Sequence, residues 1–165
     1  MLILLASQGA NRDLAEQLLK VGQSLGQKAE VLDLVDLNLP LYSAKAEEVG
    51  LPEAAKELTA KLLDASSLVV VAPEYNGSIP PVFNNAIAWV SRSGGTDWRA
   101  AFNGKVAALA THSGGGGQKV LMAIRGQLEH LGCTCVARTL LTNPNKPLSK
   151  ESAESVLGLL KKLSS

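Results

Sequence analysis

Apolar runs and amphipathic stretches alternate along the whole chain. The first run, Leu2-Ile3-Leu4-Leu5-Ala6, has no polar position in it, as a strand covered on both faces requires. Leu14, Leu18, Val21 and Leu25 then recur at helical spacing, and Gly26 stands where a helix C-cap glycine belongs. Residues 29–34 form a second strand. A polar loop follows around Asn38, Leu39 and Pro40. Pro52 opens a helix that carries Ala55, Leu58, Leu62 and Ala65 on one face. The third strand is Leu68-Val69-Val70-Val71-Ala72, stopped by Pro73. Pro80 and Pro81 restart the chain as a helix through Ile87 and Trp89. Residues 105–110 make a fourth strand, and Leu121, Ile124, Leu128 and Leu131 mark a helix ended by Gly132. Residues 133–137 are the fifth strand, and Val156, Leu157, Leu160 and Leu163 mark the last helix.

Five strand-helix units in alternation imply a parallel sheet with helices on both faces. Right-handed crossovers leave few topologies. The expected one is an α/β, flavodoxin-like three-layer sandwich with strand order 2-1-3-4-5. In that order the strands followed by unusual loops, the first, third and fourth, are neighbours. No repeat, low-complexity tract or composition shift divides residues 1–165, so a single domain is expected.

Three loops carry the candidate chemistry. Ser7-Gln8-Gly9-Ala10-Asn11-Arg12 joins the first strand to the first helix and offers a hydroxyl, a glycine, an amide and the N–H groups of a helix start, a set that suits a phosphate. Neither G-x-x-x-x-G-K-[ST] nor G-x-G-x-x-G occurs in it. A plain turn with Asn11 as N-cap is the other reading. Pro73-Glu74-Tyr75-Asn76-Gly77-Ser78-Ile79-Pro80-Pro81 is stiffened by proline at both ends, and Gly77 admits a backbone conformation other residues resist. Such a loop can present N–H groups to the polar edge of a flat heterocycle. Thr111-His112-Ser113-Gly114-Gly115-Gly116-Gly117 places four glycines beyond a buried strand, as a close approach of backbone to ligand requires.

Composition narrows the reading. Hydrophobic residues are 46% and charged ones 19%, the balance of a compact globular chain. A formal net charge of +1 gives no reason to expect nucleic-acid or anionic-membrane binding. No apolar run approaches the ~18 residues of a membrane span. The opening MLILLA leads straight into a glycine turn without the charged start of a signal peptide, so a cytoplasmic location is expected. Cys133 and Cys135, two apart on a strand, would share one buried face and lack the further ligands of a zinc site.

The stretch PEYNGSIPPVFNNAIAWVSR, residues 73–92, resembles the hallmark of the NADPH-dependent FMN reductase family, which includes quinone, azo-dye and chromate reductases. The glycine loop, Gln127-Leu128 and Leu131-Gly132 fit the same resemblance, which extends in element order over residues 1–137. It implies that Ser7 and Asn11 hold an FMN phosphate, with Arg12 supplying positive charge. It implies that Pro73, Glu74, Tyr75, Asn76, Gly77 and Ser78 line the ribityl chain and ring, and that Ser113, Gly114 and Gly115 meet the pyrimidine side. NADPH or NADH is the implied donor, a small molecule such as a quinone, flavin, azo compound or chromate the acceptor, and a homodimer or homotetramer the assembly. The first loop departs from the family's G-S-x-R-x-x-S-x-N: it is shorter, and Gln8 stands where Arg is expected. Glu74 is expected as a solvated or capping carboxylate, not a catalytic one. His112 either donates to the flavin or bonds to backbone. Trp89 and Trp98, with the 38–42 loop, either fill the core or face a subunit. An electron-transfer flavodoxin and a family member that binds flavin weakly remain alternatives.

Overall fold

The computed structural model describes residues 1–164. Its elements are β1 Leu2–Leu5, α1 Ala10–Ser24, β2 Glu30–Asp33, α2 Ala44–Val49, α3 Glu53–Asp64, β3 Ser67–Val71, α4 Pro81–Ser93, β4 Val106–His112, α5 Gln118–His130, β5 Thr134–Cys135, β6 Leu140–Thr142 and α6 Lys150–Leu163. Every strand pair is parallel, in the order β2-β1-β3-β4-β5, with β6 also on β4. The expected flavodoxin-like order is therefore present.

Burial explains why the three central strands read as unbroken apolar runs. Side chains of β1, β3 and β4 alternate between two apolar cores. Leu2, Leu4, Leu68, Val70, Ala107 and Leu109 face α3, α4 and α5. Ile3, Leu5, Val69, Val71, Ala108 and Ala110 face α1 and α6. Burying each such leucine, isoleucine or valine contributes roughly 1.5–3 kcal/mol. By contrast β2 is an edge strand, and none of its four residues is fully buried.

The fifth strand is where structure and sequence part. The expected strand over 133–137 is shortened to β5, paired with the start of β4 through Val106↔Thr134 and Ala107↔Cys135, and an unexpected sixth strand, β6, pairs with the end of β4 through Ala110↔Leu140. Between them the chain leaves the sheet, and Arg125 of α5 takes over its carbonyls. The guanidinium donates to the carbonyl oxygens of Cys135, Val136 and Ala137 at 3.2, 2.8 and 3.3 Å. A lone side chain thus replaces a stretch of ladder, and no local pattern announces it.

Trp89 belongs to the core. It is fully buried, and its indole Nε1 donates to the Pro40 carbonyl at 2.7 Å, pinning the 38–42 loop onto α4. That removes Trp89 from any subunit face. Tyr42 packs edge-on against it with ring centres 5.3 Å apart. Leu41 is 81% exposed and Trp98 40%, so these two remain the apolar surface of the region.

Candidate functional site

Strand order reverses at β1 and β3: from β1 the chain crosses to β2, from β3 to β4 on the other side. A crevice opens beyond their carboxyl ends. The loops after β1, β3 and β4 all emerge there.

The first loop is an anion nest built from backbone. Gly9 is the N-cap of α1 at φ 66° and provides no side-chain cap. Arg12 and Asp13 donate their N–H groups to the Gly9 carbonyl, but those of residues 7–11 have no acceptor among the described residues. The helix dipole adds positive potential at the same point. Ser7 is buried, and its hydroxyl makes only a weak 3.4 Å contact with the Gln8 carbonyl.

Asn11 is not the N-cap, and its side chain is not turned to the nest. Its Oδ1 accepts from the His112 N–H at 2.9 Å, and its Nδ2 donates to the His112 carbonyl at 3.1 Å. This two-way bridge ties the first loop to the end of β4, 101 residues away. What Asn11 offers a phosphate is its backbone N–H. Arg12 is likewise engaged, by Asp33 and Asp36.

The second loop closes on itself. Tyr75 N–H donates to the Ser78 carbonyl at 3.2 Å and Ser78 N–H to that of Tyr75 at 3.0 Å. Asn76 and Gly77, at φ 51° and 73°, form the tip. Positive φ at both central residues is the pattern of a type I′ hairpin turn, the conformation an Asn-Gly pair favours. The N–H groups of Asn76 and Gly77 have no acceptor among the described residues. Pro73 is buried beneath, and Tyr75 stands 50% exposed. Glu74, Tyr75, Asn76, Ile79 and Pro81 line a cavity of about 370 Å³. Glu74 caps the neighbouring helix, its Oε2 accepting from the Val120 N–H at 3.3 Å.

The third loop shows which glycines need explaining. Gly117 has φ 75°, and a Cβ there would lie 2.6 Å from Thr111 Cγ2, so the protein itself demands glycine. Gly114 and Gly115 have ordinary φ, and a Cβ on either would meet nothing within 4 Å. Neither strain nor packing accounts for them; both face open space. Beside them Ser113 donates its N–H to the Thr142 carbonyl at 3.1 Å. His112 Nδ1 lies 3.1 Å from Thr142 Oγ1, whose only proton goes to the Thr111 carbonyl. Nδ1 is therefore the donor of that contact. The His112 ring is thus held by the Thr142 side chain rather than by backbone.

Taken together, the loops offer backbone donors, a nest of free N–H groups at a helix start, a half-exposed aromatic ring and two glycines facing open space. Those features fit a flat heterocycle carrying a phosphate arm. Among the described residues no three His, Cys, Asp or Glu gather as metal ligands, and no helix is long and apolar enough to cross a membrane. A larger cavity of about 600 Å³, lined by Met1, Lys28, Glu30, Lys61 and Asp64, lies at the opposite edge of the sheet, where strands begin.

The two cysteines stand away from this edge. Burial pushes the Cys133 thiol up to about 12 and that of Cys135 to about 11. Since the thiolate is the reactive form, native Cys135 should alkylate at pH 8 on the order of 100-fold more slowly than an exposed cysteine. Iodoacetamide labelling followed by mass spectrometry checks this; rapid labelling without denaturant contradicts the burial.

A family model described as NADPH-dependent FMN reductase matches residues 1–146. A 2-hydroxy-1,4-benzoquinone reductase of Burkholderia sp is 37% identical over 100 residues, 60% of this chain and 50% of that protein. A quinone reductase of Pseudomonas putida is 32% identical over 123 residues, 71% of this chain and 64% of that protein. The matches thus span one half to somewhat under two thirds of these relatives. Among solved structures, FerB, a flavoenzyme NAD(P)H:(acceptor) oxidoreductase from Paracoccus denitrificans, superposes with TM-score 0.73 at 22% identity, covering 99% of this chain and 93% of that one, a likeness of fold.

Proposed function

The chain belongs to the NADPH-dependent FMN reductase family, and from that premise we propose that it binds FMN across its three loops and passes reducing equivalents from NADPH or NADH to a small acceptor. Gly114 and Gly115 carry this reading: two glycines that neither strain nor packing requires, at the edge where two other donor-rich loops converge. Bound there, FMN would supply the redox chemistry, taking hydride from the nicotinamide and giving it up to the acceptor.

The chain's own share is to bind, orient and leave access. The nest over residues 7–11 and Ser7 hold the phosphate. The hairpin tip at Asn76 and Gly77 gives backbone donors to the ring, with Pro73 and Ser78 fixing the turn. Ser113, Gly114 and Gly115 support the pyrimidine side. Glu74 acts through α5, which it caps, and no proton transfer is assigned to it. The acceptor follows the nicotinamide at the open face; the quinone reductases among the relatives favour a quinone, while flavins, azo compounds and chromate fit the same opening. Heat-released cofactor should run with FMN on chromatography, and the holoprotein should oxidise NADPH rapidly with a quinone present. FAD as the main species, or no oxidation, overturns the reading. An electron-transfer flavodoxin would oxidise NADPH only with a reductase added, and the net charge of +1 lacks the acidic surface such proteins use. The paired state of Arg12 supports one second reading, a member that holds flavin weakly, which would purify colourless.

The assembly we propose is a homodimer or homotetramer, supported by the exposure of Leu41 and Trp98. Light scattering at micromolar concentration should give more than the monomer mass; a stable monomer contradicts it.

A further inference from the structure

Beside the nest, the first loop contains an arrangement that holding a phosphate does not require. Arg12 lies in the first turn of α1, where its charge could add to the field of the five unpartnered N–H groups. Its Nη2 is instead paired with Asp33 Oδ2 and lies 3.4 Å from Asp36 Oδ2. Asp36 also reaches into the loop itself, accepting from Gln8 Nε2 through Oδ1 at 3.3 Å. The two carboxylates differ in what else they do. Asp33 ends β2 opposite Leu5 of β1, its side chain is 8% exposed, and its Oδ1 accepts from the Val35 N–H at 2.8 Å, fixing the turn. Asp36 is 62% exposed, and among the described residues Gln8 and Arg12 are its only hydrogen-bond partners.

One carboxylate already balances the guanidinium, so the second leaves a surplus negative charge beside a site built for an anion. We infer that Asp36 is a specificity-determining residue, one that lowers the site's preference for a phosphorylated flavin over the same flavin without its phosphate. It does so in two ways. It competes with the phosphate for Arg12 and Gln8, and its charge repels the phosphate through solvent. The ring and the ribityl chain, which both flavins share, are untouched by it. This inference rests on the flavin reading above.

The test is a fluorescence titration of the full chain with FMN and with riboflavin. Asp36→Asn should tighten FMN roughly fivefold at low salt and leave riboflavin unchanged, and the gain should shrink as salt is raised. Arg12→Gln should weaken FMN and not riboflavin. Because Asp36 holds no backbone group, the unfolding midpoint of Asp36→Asn should stay at that of the parent chain; Asp36→Ser removes the same charge and serves as the second variant. An FMN-to-riboflavin ratio that ignores both Asp36 variants overturns the inference and leaves the flavin reading standing. If no variant takes up either flavin, the flavin reading fails and the inference with it.

Discussion

Replacing Asn11 with Ala should lower the unfolding free energy by about 2–3 kcal/mol, one of the largest effects of any single side chain at this edge of the sheet. The amide makes two bonds to one residue, accepting from the His112 N–H and donating to its carbonyl. Asn11 is only 5% exposed, so water does not readily replace it. Truncation leaves a donor and an acceptor unpaired at the end of β4, each costing on the order of 1 kcal/mol or more. In a domain of this size the unfolding midpoint should fall by roughly 5–10 °C. Urea unfolding should show a lower midpoint with an unchanged slope, because the surface exposed on unfolding is the same. Asn11→Asp tests the geometry more closely: the carboxylate can still accept from the His112 N–H, but it sets a second oxygen against the carbonyl and buries a charge, so its loss should be at least as large as alanine's. A midpoint that Asn11→Ala leaves in place would mean the bridge is not formed. Flavin affinity should fall in both variants, since the bridge sets the first loop against the third.

Gly77→Val should weaken FMN binding roughly 30-fold, and Asn76→Ala distinctly less, with core stability nearly unchanged in each. Both positions lie in the left-handed region, at φ 73° and 51°. A β-branched residue is strained there by about 2 kcal/mol or more, and Asn tolerates the region better than Ala does by a smaller margin. Space is not the obstacle, for a Cβ at Gly77 would touch only the Lys119 side chain, at 3.4 Å. Nor does Asn76 lose a side-chain bond, because it makes none among the described residues. Its role, like that of Gly77, is conformational. The hairpin tip is exposed, so the valine variant can relax without disturbing the core. The strain returns when a ligand requires the type I′ turn with its N–H groups aligned. Dissociation constants for FMN, measured by flavin fluorescence, rank the two variants. A tolerated Gly77→Val beside a crippling Asn76→Ala would mean that the loop works through side chains.

The fold and the three loops were legible because their signals are local. Leu2 to Leu5 and Leu68 to Val71 are apolar at every position since both faces of β1 and β3 are covered, and the sequence shows that directly. Proline at residues 73, 80 and 81 and the glycines at 114–117 carry their backbone restrictions wherever they stand. The break between β5 and β6 was not legible, because it depends on Arg125 reaching three carbonyls from another element. The place of Trp89 was not legible either: an aromatic on an amphipathic helix suits a core or an interface equally, and the Pro40 carbonyl decided between them.

By itself, then, the sequence determined the order of elements, the parallel sheet and which loops are chemically unusual, since hydrophobic period, proline and glycine act on neighbouring residues. Only the tertiary structure decided how the polar side chains of those loops are used. Asn11 is drawn to His112 and Arg12 to Asp33 and Asp36, across 101, 21 and 24 positions of chain. A buried amide takes whatever partners the packed sheet places beside it, and a guanidinium pairs with the carboxylates that the next strand brings within reach. Spacing along the chain contains no record of either, so Asn11 and Arg12, which read as ligands of a phosphate, have side chains engaged in holding the first loop in place.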